Sequence, residues 1–231
     1  MKSKWVVEEL THFFYPNCCV ICKVKLLQGE MGICLQCLYK LSRTNNFRES
    51  NNLSEILLSG RFPFQRAASF AYFTKEGSLQ TLIHELKYNH KPQIGSLLGT
   101  IYGADLLGSS FLASIDLIVP VPLHPKKKIV RGYNQAETFA EGLSKATSLP
   151  VSINELIRVI NNPTQTKRTK TQRWENVKGI FSVQREEAFQ NKHVLLVDDV
   201  ITTGSTLEAC ANALLECRDI KISIATIGEA L

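Results

Sequence analysis

The 231-residue chain has no uninterrupted apolar run of eighteen residues, so no segment reads as a membrane span. Its first ten residues place Glu8 and Glu9 where a secretory signal would carry its apolar stretch, which predicts a protein that stays in the cytoplasm. No Gly-x-x-x-x-Gly-Lys-Ser/Thr pattern occurs, and this excludes the phosphate loop that cradles nucleoside triphosphates. Internal repeats and low-complexity tracts are absent too, which leaves a globular reading. The chain is 44% hydrophobic, enough for one large α/β core and a small appendage. A net charge of +6 suits an anionic ligand such as pyrophosphate and equally a nucleic-acid backbone; charge alone does not choose.

Cysteine is plentiful and clustered. Of seven, Cys18, Cys19, Cys22, Cys34 and Cys37 are packed close together. A reducing compartment disfavours disulfides, so this spacing argues for metal. Cys19-x-x-Cys22 and Cys34-x-x-Cys37 each put two thiolates on one turn, and two such turns make a tetrahedral four-sulfur zinc site. Cys18 competes with Cys19 as first ligand, but its spacing to Cys22 is looser, so it is assigned to packing. Cys210 and Cys217 read as small buried hydrophobes on a helix.

Residues 3–15 carry Val6, Leu10, Phe13 and Phe14 at helical spacing. Residues 42–52 are polar and read as a linker or exposed loop, so the chain divides into an N-terminal helix and zinc-knuckle module (1–60) and a larger domain (61–231). In the larger part, strands are expected at 67–73, 115–121, 179–183, 194–197 and 220–227. Helices are expected at 78–88, 94–107, 135–146 and 206–217. Alternating strands and helices, two of the strands almost wholly apolar, predict a parallel sheet flanked by helices. Ligands of such sheets sit beyond the carboxyl ends of the strands.

Residues 194–207 lie at such an end. An apolar strand runs into Asp198 and Asp199, then Thr202, Thr203, Gly204, Ser205 and Thr206, then helix formers. Helix-N-terminal amides and these hydroxyls can surround a phosphate monoester, and Gly204 lets the backbone come close. The carboxylates can accept hydrogen bonds from vicinal ribose hydroxyls and help hold magnesium. A second constellation spans 116–139, where an apolar strand ends in Pro120-Val121-Pro122. His124 and three lysines follow, then Arg131-Gly132-Tyr133-Asn134-Gln135 at the head of a helix. This run of Lys and Arg either neutralises a pyrophosphate leaving group or is a solvated basic loop. His124 is either an acid–base group or a simple loop residue, and no dedicated acid or base for a nucleobase is visible.

The 194–207 stretch resembles the phosphoribosyl-pyrophosphate (PRPP) signature of type I phosphoribosyltransferases. Taken with Pro120 to His124, Arg131 to Ala136, the paired knuckles, Leu86-Lys87-Tyr88, Thr164-Gln165-Thr166 and Arg173 to Val177, the whole chain resembles the ComF family of bacterial phosphoribosyltransferase-like proteins. The resemblance implies a type I phosphoribosyltransferase-like domain behind a four-cysteine zinc module. It implies PRPP binding with magnesium, and a part for members in competence and DNA uptake. Asp198 and Asp199 would then hold the ribose and serve catalysis, and residues 202–206 the 5′-phosphate. Lys126, Lys128 and Arg131 would face pyrophosphate, with Lys87 and Arg173 as further PRPP-binding residues. Residues 160–176 resemble the loop that closes over the site in such enzymes. Two readings remain open: a phosphoribosyl transferase, or a PRPP-responsive protein without transfer activity that binds single-stranded DNA or competence partners. For the second, the basic run at 167–173 with Trp174 offers a stacking residue, although Trp174 also reads as a loop anchor.

Overall fold

The computed structural model describes residues 17–159 and 179–231. The expected helix at 3–15 and the loop at 160–176, with Arg173 and Trp174, lie outside the described residues. Seven helices, α1 (Leu35–Tyr39), α2 (Leu53–Leu58), α3 (Ser78–Tyr88), α4 (Pro92–Leu107), α5 (Pro125–Arg131), α6 (Gln135–Thr147) and α7 (Ser205–Leu214), are described together with six strands. The strands are β1 (Ala67–Phe73), β2 (Leu117–Pro120), β3 (Leu156–Arg158), β4 (Phe181–Val183), β5 (His193–Ile201) and β6 (Lys221–Ala230).

Four of the strands form one sheet in the order β1-β6-β5-β2, parallel throughout. Because side chains alternate along a strand, β5 feeds two cores. Leu195 and Val197 pack with Leu86, Leu98, Tyr102 and Phe139 of α3, α4 and α6 on one face. Val194 and Leu196 pack with Leu207, Cys210 and Leu214 of α7 on the other. The sheet is therefore covered on both faces, which is why β5 begins as an unbroken apolar run. Among the described residues, no helix is long and apolar enough to cross a membrane.

Elements with strong periodicity fall where expected, β1 and α3 residue for residue. Four differences are instructive. First, β5 does not stop at Val197 but continues through Asp198 and Asp199 to Ile201, because pairing with β6 runs on as far as Ile201 opposite Glu229. Second, the segment expected as strand 179–183 is β4, outside the main sheet and antiparallel to β3. Third, residues 125–131 are a helix. His124 accepts the Lys126 N–H, Pro125 occupies the first turn, and Gly132 ends the helix at φ 79°. Fourth, the expected linker at 42–52 is built into the fold. Thr44 N–H donates to the Phe70 carbonyl and Tyr72 N–H to Ser42, so this stretch edges β1. Asn46 and Asn52 are buried, and Asn52 Nδ2 donates to the Ala67 carbonyl at 2.9 Å.

Helices α4 and α6 meet backbone to backbone. A Cβ on Gly142 would lie 2.2 Å from the Ser96 carbonyl oxygen, and one on Gly99 2.2 Å from that of Phe139. Neither obstacle is a flexible side-chain end, so the helices must separate to admit a methyl group. Gly142→Ala should therefore destabilise the protein by about 1–3 kcal/mol despite the better helix propensity of alanine. Urea unfolding checks this, and an unchanged or higher midpoint would show that the seam can open freely.

Candidate functional site

Alternation along β5 sends its two carboxylates to opposite faces of the sheet. Asp198 shares the face of Leu196 and α7, where its charge raises the pKa of buried Cys210 after burial itself has done so. Asp199 shares the face of Val197 and receives Lys87 Nζ from α3 at 2.7 Å. The two remain in each other's field. Burial, then the neighbouring Asp199 charge, raises the Asp198 pKa to about 7, against the opposing pull of the Asp199 N–H, Lys87 and Arg158. That amide donates to Asp198 Oδ1 at 2.8 Å.

Beyond Ile201 the chain turns through Thr202 and Thr203 to Gly204, which takes φ 72° and heads α7. Thr202, Thr203, Ser205 and Thr206 are all exposed and line a small pocket with Asp198, whereas Gly204 is buried. Thr203 Oγ1 and Ser205 Oγ are hydrogen-bonded at 3.0 Å. Hydroxyls and the first amides of α7 thus converge one step from the carboxylates, the kind of donor set an anion requires.

Cations from other elements surround this region. Lys128 Nζ is engaged by both oxygens of Glu137 at 2.9 Å. Lys127, beside it, has its pKa lowered by partial desolvation, then by the charges of Arg158, Arg131 and Lys87. Two of these cations, Lys87 and Arg158, also act on Asp198. Arg131 donates to Gln135 Oε1 at 2.9 Å and lies over the Tyr88 ring. Lys126 is exposed on α5, and only its backbone N–H is fixed, by His124 Nδ1 at 3.2 Å. Arg158, from β3, stacks on Phe181 of β4.

Lys127 and Arg158 were missed in the sequence reading. The signal for Lys127 was present: Pro125 at a helix start and Gly132 at its end imply a helix, and helical spacing puts Lys127 and Arg131 on one side. Nothing in the sequence marks Arg158, because β3 is a three-residue strand whose placement depends on its partner.

Much of the Arg131 to Gln135 motif is a fastener. Tyr133 Oη donates to the Leu86 carbonyl, Asn134 Nδ2 to the Val121 carbonyl at 2.9 Å, and Asn134 Oδ1 caps α6. His124 is buried as the cap of α5, and burial, then Arg158, Lys126 and Lys127, lowers its pKa.

The second cluster is the cysteines. The Sγ atoms of Cys19, Cys22, Cys34 and Cys37 all lie within 4.8 Å of one another. Cys22 and Cys34 are 3.7 Å apart, and Cys18 is not among the four. Burial raises the Cys19 thiol, but the amides of Cys22, Cys34 and Ile21 with the Cys22 thiol outweigh it and lower its pKa to about 6. Burial and the neighbouring thiols push Cys37 up to about 12. Four converging soft donors of this kind fit a structural zinc ion.

Residues 134–229, which include β5, the hydroxyl loop and α7, match the family model of the phosphoribosyl transferase domain. Over 212 residues the chain is 29% identical to DNA utilization protein YhgH of Escherichia coli K12, covering 87% of this chain and 91% of that one. Over 100 residues it is 39% identical to competence protein F of Haemophilus influenzae, covering 43% and 44% of the two chains. It is 38% identical over 100 residues to competence protein ComFC of Bacillus subtilis, covering 43% and 38%. The chain is thus similar over most of its length to a DNA utilization protein and over part of it to two competence proteins. Its fold is the type I phosphoribosyltransferase-like parallel sheet, with a four-cysteine cluster near the N-terminus.

In this site the raised Asp198 pKa has a consequence for stability. The native carboxyl binds its proton more tightly than the unfolded one, whose ordinary value is 3.8. Stability is therefore lost as pH rises from about 4 toward 7, and the penalty is complete above 7. Asp198→Asn should raise the melting temperature of the ligand-free protein, by several degrees at pH 8 and by less at pH 5, at roughly 2–4 °C per kcal/mol. Differential scanning calorimetry at both values checks this. A lower melting temperature at pH 8, or a gain independent of pH, would show that the carboxylate is not strained.

Proposed function

We propose that the protein binds PRPP with magnesium and transfers its phosphoribosyl group. One observation carries the reading: the paired carboxylates Asp198 and Asp199 adjoin the exposed hydroxyls of Thr202, Thr203, Ser205 and Thr206, while Lys87 pairs with Asp199 and, with Arg158, acts on Asp198. A ligand with a monophosphate at one end, a diol in the middle and a diphosphate at the other has that charge pattern.

In this reading the hydroxyls and α7 amides hold the 5′-phosphate, and the two carboxylates accept hydrogen bonds from the ribose hydroxyls. Magnesium, held with their help, would supply positive charge at the diphosphate oxygens. Lys87, Lys127 and Arg131 disperse the charge that develops on departing pyrophosphate as the anomeric C–O bond breaks, and Lys126 adds to the local positive field. Lys128 is released for the same task only if its Glu137 contact opens. The carboxylates also offset the positive charge that develops on the ribose. Zinc at Cys19, Cys22, Cys34 and Cys37 would be structural, deprotonating thiols that are otherwise costly to bury together.

A second reading is favoured by the names of the relatives, a DNA utilization protein and two competence proteins, together with the +6 charge. Here PRPP occupancy governs binding of single-stranded DNA or a competence partner without transfer. Incubation with PRPP and a panel of nucleobases, with pyrophosphate as the readout, separates the two. Filter binding of single-stranded DNA across a salt series measures the alternative.

PRPP with magnesium should bind in the micromolar range, and Asp198→Asn/Asp199→Asn should lose on the order of a hundredfold in affinity while remaining folded, at roughly 1.5–3 kcal/mol per charged hydrogen bond. Calorimetry showing unchanged binding would remove the central claim.

Elemental analysis should find one zinc per chain, retained in Cys18→Ser and lost in Cys19→Ser. Less than half an equivalent in protein never exposed to chelator would sink the assignment.

A further inference from the structure

The hydroxyl loop is packed at Gly204 against residues that precede the sheet. A Cβ on Gly204 would lie 2.8 Å from Leu58 Cδ2 and 3.4 Å from both Cδ and Nε of Arg61. Glycine is therefore required at 204 by this contact as well as by its φ. The Arg61 guanidinium stands beside the loop, donating Nε–H to the Leu57 carbonyl at 3.2 Å and Nη1–H to Glu208 Oε2 at 3.0 Å. Among the described residues these bonds use two of its five N–H donors.

The segment that delivers Arg61 is firmly held. Leu58 is fully buried, and so is Ser54 one turn earlier on α2. Ser54 Oγ donates to the buried Glu229 carboxylate and meets Ser69 Oγ at 2.8 Å. Asn46 Nδ2 donates to the same Glu229 oxygen at 3.0 Å. Asn52 caps α2 by accepting the Glu55 N–H at 3.1 Å. Glu229 lies opposite Ile201 in the register, the residue from which the loop departs. The brace and the loop thus share one anchor at the carboxyl edge of the sheet.

Glu208 is an odd neighbour for a phosphate, since it stands in the first turn of α7 and would repel an anion bound there. Arg61 answers that charge and retains donors for another oxyanion. We infer that Arg61 is a phosphate-binding residue, whose guanidinium contacts the 5′-phosphate of the ribosyl ligand directly while Glu208 holds it in reserve when the site is empty. This inference rests on the PRPP reading and adds a side-chain cation to a receptor otherwise made of hydroxyls and amides.

Calorimetric titration of ribose 5-phosphate and of pyrophosphate into the full-length protein, with PRPP and magnesium as the reference ligand, tests it. Arg61→Ala should lose about tenfold or more in ribose 5-phosphate affinity, the scale of one charged hydrogen bond, and less than about threefold for pyrophosphate. Glu208→Gln, which frees the arginine, should bind ribose 5-phosphate as tightly as the parent or several-fold tighter. The double variant Arg61→Ala/Glu208→Gln should stay within about threefold of Arg61→Ala. Recovery of parental affinity in the double variant would mean that Arg61 merely screens Glu208, and would overturn the inference. Equal losses in Arg61→Ala and Glu208→Gln would overturn it as well, by showing a structural clasp. If the parent binds neither PRPP nor ribose 5-phosphate, the reading of the site itself fails. If the parent binds both and Arg61→Ala is indifferent, only the role of Arg61 falls.

Discussion

Two carboxylates follow one another at the carboxyl end of a buried strand, and their mutual repulsion organises this end of the molecule. The strand resolves part of the conflict by geometry, sending Asp198 toward α7 and Asp199 toward α3. Lys87 neutralises the second directly. The first stays strained, with a pKa raised to about 7 by burial and by its neighbour. Adjacent carboxylates held in a half-buried position reduce stability in the ligand-free state, and such strain is typical of positions kept for ligand chemistry rather than for folding.

Around that pair the fold gathers positive charge from separate parts of the chain: Lys87 from α3, Lys127 and Arg131 from α5, Arg158 from β3. None of these elements is adjacent in sequence to Asp198. Their convergence depends on fasteners that carry no charge of their own. Tyr133 ties the α5–α6 junction to the end of α3, and Asn134 ties it to Val121 just past β2. Below them, α4 and α6 lock through glycines whose backbones touch. A buried polar network of Asn46, Ser54, Ser69, Thr226 and Glu229 anchors the pre-sheet segment to the opposite edge. Polar groups this deep specify one arrangement, because any alternative leaves them without partners.

What could be read from the chain alone was whatever depends on local pattern. Continuous apolar runs marked β1 and the heart of β5, and helical spacing marked α3 and α6, because burial is the dominant local term. The two Cys-x-x-Cys pairs predicted a four-sulfur cluster, since each pair is already a formed half-site and only their meeting was left to the fold. The hydroxyl loop and its glycine were legible for the same reason, as consecutive residues at a strand-to-helix turn. Tertiary structure alone decided which charges reach the site. It turned three consecutive lysines into a helix, so that Lys127 lies in the field of Arg158, Arg131 and Lys87 and Lys128 pairs with Glu137. It brought in Arg158 on a short strand and set Arg61 against Gly204. It also converted a polar stretch at 42–52 from expected linker into a sheet edge, because its asparagines and carbonyls find partners that exist only once β1 is in place. Backbone form follows from near neighbours in the chain, whereas electrostatic company follows from distances between elements, and those are set only when the whole core closes.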